Sequence, residues 1–195
     1  MTTLTDHQLI EKTLQGQTQA FSILVERYQD FVYTIAVRML RNREEAEEVA
    51  QDSFIKAFEA LKSYRGEAKF SSWLYSIVYR KSLDRLRKNN TSRTLELVED
   101  VTEAETQTIE NALQLLQTEE RNEWIQKGIG QLPQQEAAIV TFFYFEDLSI
   151  KEIAEITRLS EDNIKIKLHR SRKKLFTLLK YFVLPEYTQS NGRAI

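Results

Sequence analysis

No cysteine occurs in the 195 residues, so disulfides, thiolate metal sites and thiol nucleophiles are excluded, and a reducing cytoplasm suits the chain. Five glycines and two prolines leave long stretches unpunctuated, while Leu, Glu, Lys, Ala and Gln are common, a balance that points to an all-α fold. The two histidines, His7 and His169, sit at opposite ends of the chain. No P-loop, GxGxxG or GxSxG is present, so no enzyme activity, cofactor, metal or small-molecule substrate is expected. The longest apolar run, Ile139 to Phe145 with Thr141 inside it, is far short of the roughly 20 residues that cross a bilayer. The opening MTTLTDHQLIEK lacks the basic and apolar parts of a secretory signal, and no membrane insertion is expected.

What is present is charge, and it is sorted by sign. The net charge of −2 argues against a generic polyanion binder, yet basic residues gather at Arg80 to Arg93 and Lys165 to Lys174. Acids gather at Glu44 to Asp52 and Glu96 to Glu120. Segregated patches let one molecule bind a polyanion and a basic partner while its total stays near zero.

Apolar spacing predicts a short helix over Leu4 to Leu14, capped at Thr5 or Asp6, with Leu9, Ile10 and Leu14 on one side. Gly16 ends it and Thr18 caps the next, an amphipathic helix from Ala20 to Leu40 through Phe21, Leu24, Tyr28, Phe31, Ile35 and Met39. Arg41-Asn42 breaks the pattern before Glu44 to Leu61 resumes it. A loop at Ser63 to Phe70 leads to a helix over Ser72 to Arg87, capped by Ser71, with Leu74, Ile77, Val78, Leu83 and Leu86 inward. These helices suffice for a compact bundle. Asn89 to Glu120 turns acidic and reads as a flexible linker, with a short helix around Ile109 to Leu116. A second helical domain begins near Trp124, restarts at Pro133 and takes its core from Ala137 to Phe145. The predicted division is 1–90, an acidic linker 91–120, a second domain 121–184 and a frayed tail 185–195.

The second domain ends in a patterned pair. Ser149-Ile150-Lys151-Glu152 is a capping box opening a short helix through Ile153 and Ile156. After a turn near Thr157 to Leu159, Ser160 caps a helix with Glu161 and Asp162 in its first turn, where the dipole favours carboxylates. Ile164, Leu168 and Leu175 face a core. Lys165, Lys167, His169, Arg170, Arg172, Lys173 and Lys174 occupy much of the rest. The pattern fits a DNA-binding helix-turn-helix and also a helical hairpin with a solvated basic face.

Two further clusters carry competing readings. Glu44, Glu48 and Asp52 share a strip with Glu45, Glu47 and Gln51 around them. A solvated face, a metal site and a docking surface all fit, although carboxylates without histidine make a poor transition-metal set. The loop Tyr64-Arg65-Gly66-Glu67-Ala68-Lys69-Phe70 precedes Trp73, Tyr75, Tyr79, Arg80, Lys81, Arg85, Arg87 and Lys88. Interleaved rings and cations suit single-stranded nucleic acid, each stacked base contributing roughly 1–3 kcal/mol. Packing of Trp73 and Tyr75 between helices fits equally.

Together these residues resemble a bacterial sigma factor of the extracytoplasmic-function (ECF) type, the minimal branch of the sigma-70 family. Ala46-Glu47-Glu48-Val49-Ala50-Gln51-Asp52-Ser53-Phe54 is similar to region 2.2. Ser63 to Arg87, with Tyr64-Arg65-Gly66, Phe70, Trp73-Leu74, Ile77, Asp84 and Leu86-Arg87, is similar to regions 2.3 and 2.4. Leu132-Pro133, Glu152-Ile153-Ala154-Glu155, Leu159-Ser160, Ile164-Lys165 and Leu168-His169-Arg170-Ser171-Arg172 resemble region 4.

The resemblance implies roles. Glu47, Glu48, Gln51, Asp52 and Phe54 would bind core RNA polymerase at the clamp of its largest subunit, and the second domain would meet the flap of the second-largest. Tyr64, Arg65, Lys69, Phe70, Trp73, Tyr79, Arg80, Lys81 and Arg87 would open the minus-ten element and hold its non-template strand. Ser160, Asn163, Lys165, Lys167, His169, Arg170, Arg172 and Lys173 would read the minus-thirty-five duplex. An anti-sigma factor would hold activity off. The chain departs from the family pattern at Arg80 (commonly Asn), Arg158 (the turn glycine), Asn163 (commonly Thr), and Ile166 and Lys167 (commonly Ser and Arg). A stand-alone helix-turn-helix regulator and a non-DNA-binding adaptor are the rival readings.

Overall fold

The computed structural model describes residues 4–89 and 118–183. These form eight α-helices: α1 Asp6–Leu14, α2 Gln19–Leu40, α3 Arg43–Ala60, α4 Phe70–Lys88, α5 Thr118–Gln131, α6 Gln134–Phe145, α7 Ile150–Thr157 and α8 Glu161–Val183. A 3₁₀ turn, Leu61–Ser63, follows α3, and the described residues contain no strand. The expected helix at 109–116, most of the acidic linker and the tail lie outside the described residues.

Two compact units emerge. The first joins residues 4–89 with 148–160; the second joins 118–147 with 161–183. The sequence division places Leu148 to Ser160 in the second domain, whereas α7 packs against α4 and groups with the first unit.

In the first unit α2, α3 and α4 pack pairwise and α1 lies against α2. Leu9, Leu24, Val32, Ile35, Ala36, Met39, Ala46, Ala57, Leu74 and Val78 are fully buried. Each buried aliphatic chain of Val, Ile or Leu size stabilises by about 1.5–3 kcal/mol. Thr5 caps α1 in a reciprocal box with Gln8. Arg41 turns left-handed (φ 56°) to end α2, and Asn42 then accepts from the Glu45 amide to start α3. Three local expectations fail. Thr18 makes no side-chain cap bond, α4 begins at Phe70 ahead of Ser71, and Leu14 is exposed. The inward face of α4 is also broader than a single stripe, burying Phe70, Ser72, Tyr75, Ser76, Tyr79 and Ser82 beside Leu74 and Val78. The cause is that α4 contacts α2, α3 and α7 at once. Ile77, Leu83 and Leu86 are correspondingly only half-buried.

In the second unit α5, α6 and α8 pack on one another. Pro133, at φ −51°, occupies the cap position of α6. At Gly128 a Cβ would come 3.2 Å from Leu175 Cδ2, so the glycine permits the close approach of α5 and α8. Ile129, Leu132, Ala138, Ile139, Phe142, Ile164 and Leu168 form the core. Lys174, counted among surface cations from sequence, turns inward. Its ammonium lies 3.4 Å from the Glu136 carboxylate, with side chains 14% and 11% exposed. Ser171, fully buried, donates to the same oxygen at 3.5 Å.

The cap at α7 follows expectation. Ser149 Oγ accepts from the Glu152 amide at 3.2 Å, and the Ser149 amide donates to Glu152 Oε2 at 2.9 Å. Arg158, standing where a turn glycine is common in the family, adopts φ 60° and closes α7 with a 2.8 Å amide bond to Ala154 O.

Candidate nucleic-acid interface

At the start of α4 the chain builds an aromatic corner. The Tyr64 ring lies 5.2 Å from Trp73 and 5.9 Å from Phe70, and Phe70 lies 5.7 Å from both Trp73 and Tyr28. Tyr64 Oη donates to Ala68 O at 2.6 Å, closing the loop on itself, while Gly66 takes φ 73°. The closed loop leaves Arg65 and Lys69 exposed beside half-buried Tyr64 and Trp73. Tyr28 donates to the Asp6 carboxylate, which also pairs with Arg27. Burial, reinforced by that bond, holds the Tyr28 phenol well above its ordinary pKa.

Two assigned ring residues are not presented to an incoming strand. Phe70 is 2% and Tyr79 1% exposed, because both fall on the inward face of α4. Burial pushes the Tyr79 phenol up to about 12. Arg80 is exposed, its guanidinium held below the usual range by partial burial and then by Arg158. Arg87 is exposed and pairs locally with Asp84.

The acidic strip on α3 is real but shared. Arg85 donates to Glu48 at 2.8 Å and lies 3.7 Å from Glu45, and Lys81 lies 3.4 Å from Asp52. Glu44, Glu47, Glu48, Gln51 and Asp52 remain exposed, whereas Phe54 is buried and supports the strip from beneath. The exposed apolar members of this surface fall outside the docking residues expected from sequence, and Phe58, whose spacing puts it on the inward stripe, is among them. Ile55 is 58% and Phe58 43% exposed, and Ile55 lies one turn beyond Gln51. An isoleucine at i+4 on a polar helix face was the available signal.

On α8, Lys165, His169, Arg170 and Arg172 are exposed, and Lys167 and Lys173 are half-buried. Ser160 and Asn163 are exposed at its start. Lys165 pairs with Asp162 at 3.1 Å, and Arg172 engages Phe143 and Tyr144 of α6. No cluster of metal-ligating side chains occurs among the described residues, and no helix there is long and apolar enough to cross a membrane.

The stretches that carry these surfaces match known families. Sigma-70 region 2 matches residues 24–92, and Sigma-70, region 4 matches residues 122–175. The ECF RNA polymerase sigma factor SigW of Bacillus subtilis is 32% identical over 172 residues, covering 85% of this chain and 92% of that protein. The chain belongs to the ECF branch of the sigma-70 family. This ECF sigma factor is also 30% identical to the RNA polymerase sigma-H factor of Pseudomonas aeruginosa over 86% of its own length and 90% of the relative's. Among solved structures, CnrH in complex with the cytosolic domain of CnrY matches with a TM-score of 0.57 at 22% identity, covering 88% of this chain and 95% of that one. The sigma factor RpoE bound to the anti-sigma factor NepR, from Bartonella quintana, matches with a TM-score of 0.58 at 19% identity, covering 82% and 96%. Both likenesses agree with the all-α fold.

Proposed function

We propose that this alternative sigma factor joins core RNA polymerase and directs initiation by taking the minus-thirty-five element as duplex and the minus-ten element as a melted strand. The observation that carries the reading is the pairing on one chain of two unlike surfaces. One unit has an aromatic corner flanked by Arg65 and Lys69; the other has a helix exposing Lys165, His169, Arg170 and Arg172. Rings stack on unpaired bases, whereas a cationic helix fits a major groove.

In this reading residues 1–90 act as region 2 and 121–184 as region 4, with 91–120 as linker and 185–195 as tail. Glu47, Glu48, Gln51 and Asp52 dock on the polymerase clamp, with Ile55 adding apolar contact and Phe54 supporting the strip. Tyr64, Arg65, Lys69, Trp73, Arg80 and Arg87 handle the melted strand, and Phe70 and Tyr79 shape the corner from inside. Lys81 spends its charge on Asp52 and acts from the side. Asn163, Lys165, Lys167, His169, Arg170, Arg172 and Lys173 meet the duplex, with Ser160 at the helix start. The second unit meets the polymerase flap, and an anti-sigma factor restrains the whole.

Transcription of a promoter library by core enzyme, with and without the purified protein, tests this. Specific transcripts that require both support it; binding to duplex sites with no effect on core enzyme would favour a stand-alone regulator. Gln51→Ala combined with Asp52→Lys should abolish capture of core polymerase. Unchanged capture removes the docking assignment.

A further inference from the structure

We propose that Tyr144 is a positioning residue for duplex recognition, holding the Arg172 guanidinium in one orientation before DNA arrives. The inference rests on the reading of α8 as the duplex-facing helix and adds to it a residue on a different helix.

Arg172 Nε donates to Tyr144 Oη at 2.5 Å. Its guanidinium carbon sits 5.8 Å from the Tyr144 ring centroid and 6.0 Å from that of Phe143. The two rings meet edge to face at 5.0 Å and 79°, forming a shallow seat at the end of α6. Yet the site is open, since Tyr144 is 47% exposed and Arg172 is exposed.

Guanidinium geometry makes this arrangement useful. Of its five N–H groups, the Nε–H is engaged by Tyr144, which leaves the four on the two Nη atoms as a planar fork that suits a guanine edge or a phosphate. Helical spacing puts Arg172 on one strip with Lys165 and His169, so the seat fixes one end of a cationic row. A free arginine must be ordered when it binds, and a seated one has lost most of that freedom in advance. The hydroxyl matters as well as the ring, because only a directional bond sets the roll of the fork.

The experiment uses the full chain assembled with core polymerase and a promoter selected from the library. Tyr144→Phe keeps the ring and removes the hydroxyl. It should weaken binding to the cognate promoter roughly threefold to tenfold, the range for ordering one rotamer-rich side chain. A promoter with a scrambled minus-thirty-five element should be bound as before. Arg172→Ala should weaken cognate binding at least as much, and the double variant no more than Arg172→Ala alone, since the two act as one unit. Unfolding of the second unit is followed by Trp124 fluorescence in a Trp73→Phe background used for that measurement alone, and Tyr144→Phe should leave its midpoint in place. A loss for Arg172→Ala without one for Tyr144→Phe overturns the positioning role and keeps the duplex reading. A lowered unfolding midpoint with unaltered promoter binding makes the contact purely structural and overturns it too. If Arg170→Ala and Arg172→Ala both leave promoter binding intact, the duplex reading falls and takes this inference with it.

Discussion

Glu136→Gln offers the sharpest test of what holds the second unit together. The Glu136 carboxylate receives Lys174 at 3.4 Å and Ser171 at 3.5 Å from the facing helix, under near-complete cover. Breaking one side of a fully buried pair costs about 3–5 kcal/mol, because the other charge is left uncompensated. Lys174 is 14% exposed, and a lysine stem can carry its ammonium to water, so the cost here is smaller. The amide of glutamine still accepts from Ser171, which avoids the further ~1–3 kcal/mol of an orphaned buried hydroxyl. Glu136 also stands in the first turn of α6, where a carboxylate contributes about 0.3–1 kcal/mol against the dipole. The expected destabilisation is about 2 kcal/mol for Glu136→Gln and about 3–4 kcal/mol for Glu136→Ala.

The chain supplies its own reporters. Of its two tryptophans, Trp73 lies in the first unit and Trp124 in the second, so Trp73→Phe leaves a signal from the second unit alone. With a urea slope of about 1 kcal/mol/M for so small a unit, Glu136→Gln should move the midpoint down by about 2 M. Glu136→Leu combined with Lys174→Met and Ser171→Ala should lie close to the parent, since replacing a whole buried polar set by apolar groups of similar size is often neutral and leaves no hydroxyl orphaned. Shifts below about 0.5 kcal/mol for the single variants would place the pair among ordinary surface ion pairs and refute the argument.

Other outcomes follow from the same structure. Arg158→Gly should stabilise the first unit by about 1 kcal/mol in thermal unfolding read at Trp73, because φ 60° burdens a residue with a Cβ; no gain would show the turn to be unstrained. Ser82→Ala should be neutral or stabilising by up to about 1 kcal/mol, since the Ser82 hydroxyl is fully buried with no hydrogen-bond partner among the described residues; a loss above 1 kcal/mol would mean it has one. Bonds from the Ser149 amide and hydroxyl, with Lys69 nearby, hold the Glu152 carboxyl below its ordinary pKa. Its stabilisation is therefore full above the unfolded value of about 4.3 and is lost as pH falls through the lower folded value. Glu152→Gln keeps the capping box and should flatten that acid-side loss; an unchanged acid profile assigns the loss to other carboxylates.

Periodicity and caps made most of the helices legible. The spacing of Leu24, Ile35 and Met39 and the box at Ser149 and Glu152 are local, and they appear where the pattern puts them. What escaped is tertiary. Tyr79 reads as a stacking ring beside basic residues, but α4 is packed on three sides and takes it inward. Lys174 reads as one more surface cation until its partner Glu136, 38 positions earlier, is brought against it. Thr18 and Ser71 have cap chemistry, yet the backbone starts α2 and α4 without using either side chain as a cap. The family resemblance marked out residues 24–92 and 122–175, which helical spacing alone does not group.

The electrostatic pattern shows most clearly how linear order and spatial order diverge. Along the chain, the acids of Glu44 to Asp52 and the cations from Arg80 onward look like two independent patches, one for each partner. In the fold, Arg85 turns to Glu48 and Glu45, and Lys81 to Asp52, so part of the basic cluster is matched inside the unit. Glu48 and Asp52 are exposed while Lys81, Arg85 and Glu45 are half-buried, and surface pairs of this kind contribute only about 0–1 kcal/mol each. Their consequence is therefore specificity rather than stability. A basic partner approaching the α3 strip competes with cations already in place, and a DNA strand approaching α4 meets fewer free charges than the sequence promises. Arg85→Ala should thus release Glu48 from its cation and tighten capture of core polymerase by a few-fold at low salt, an effect that screening erases at high salt. Weaker capture at low salt would mean that Arg85 orders Glu48 for docking instead of masking it.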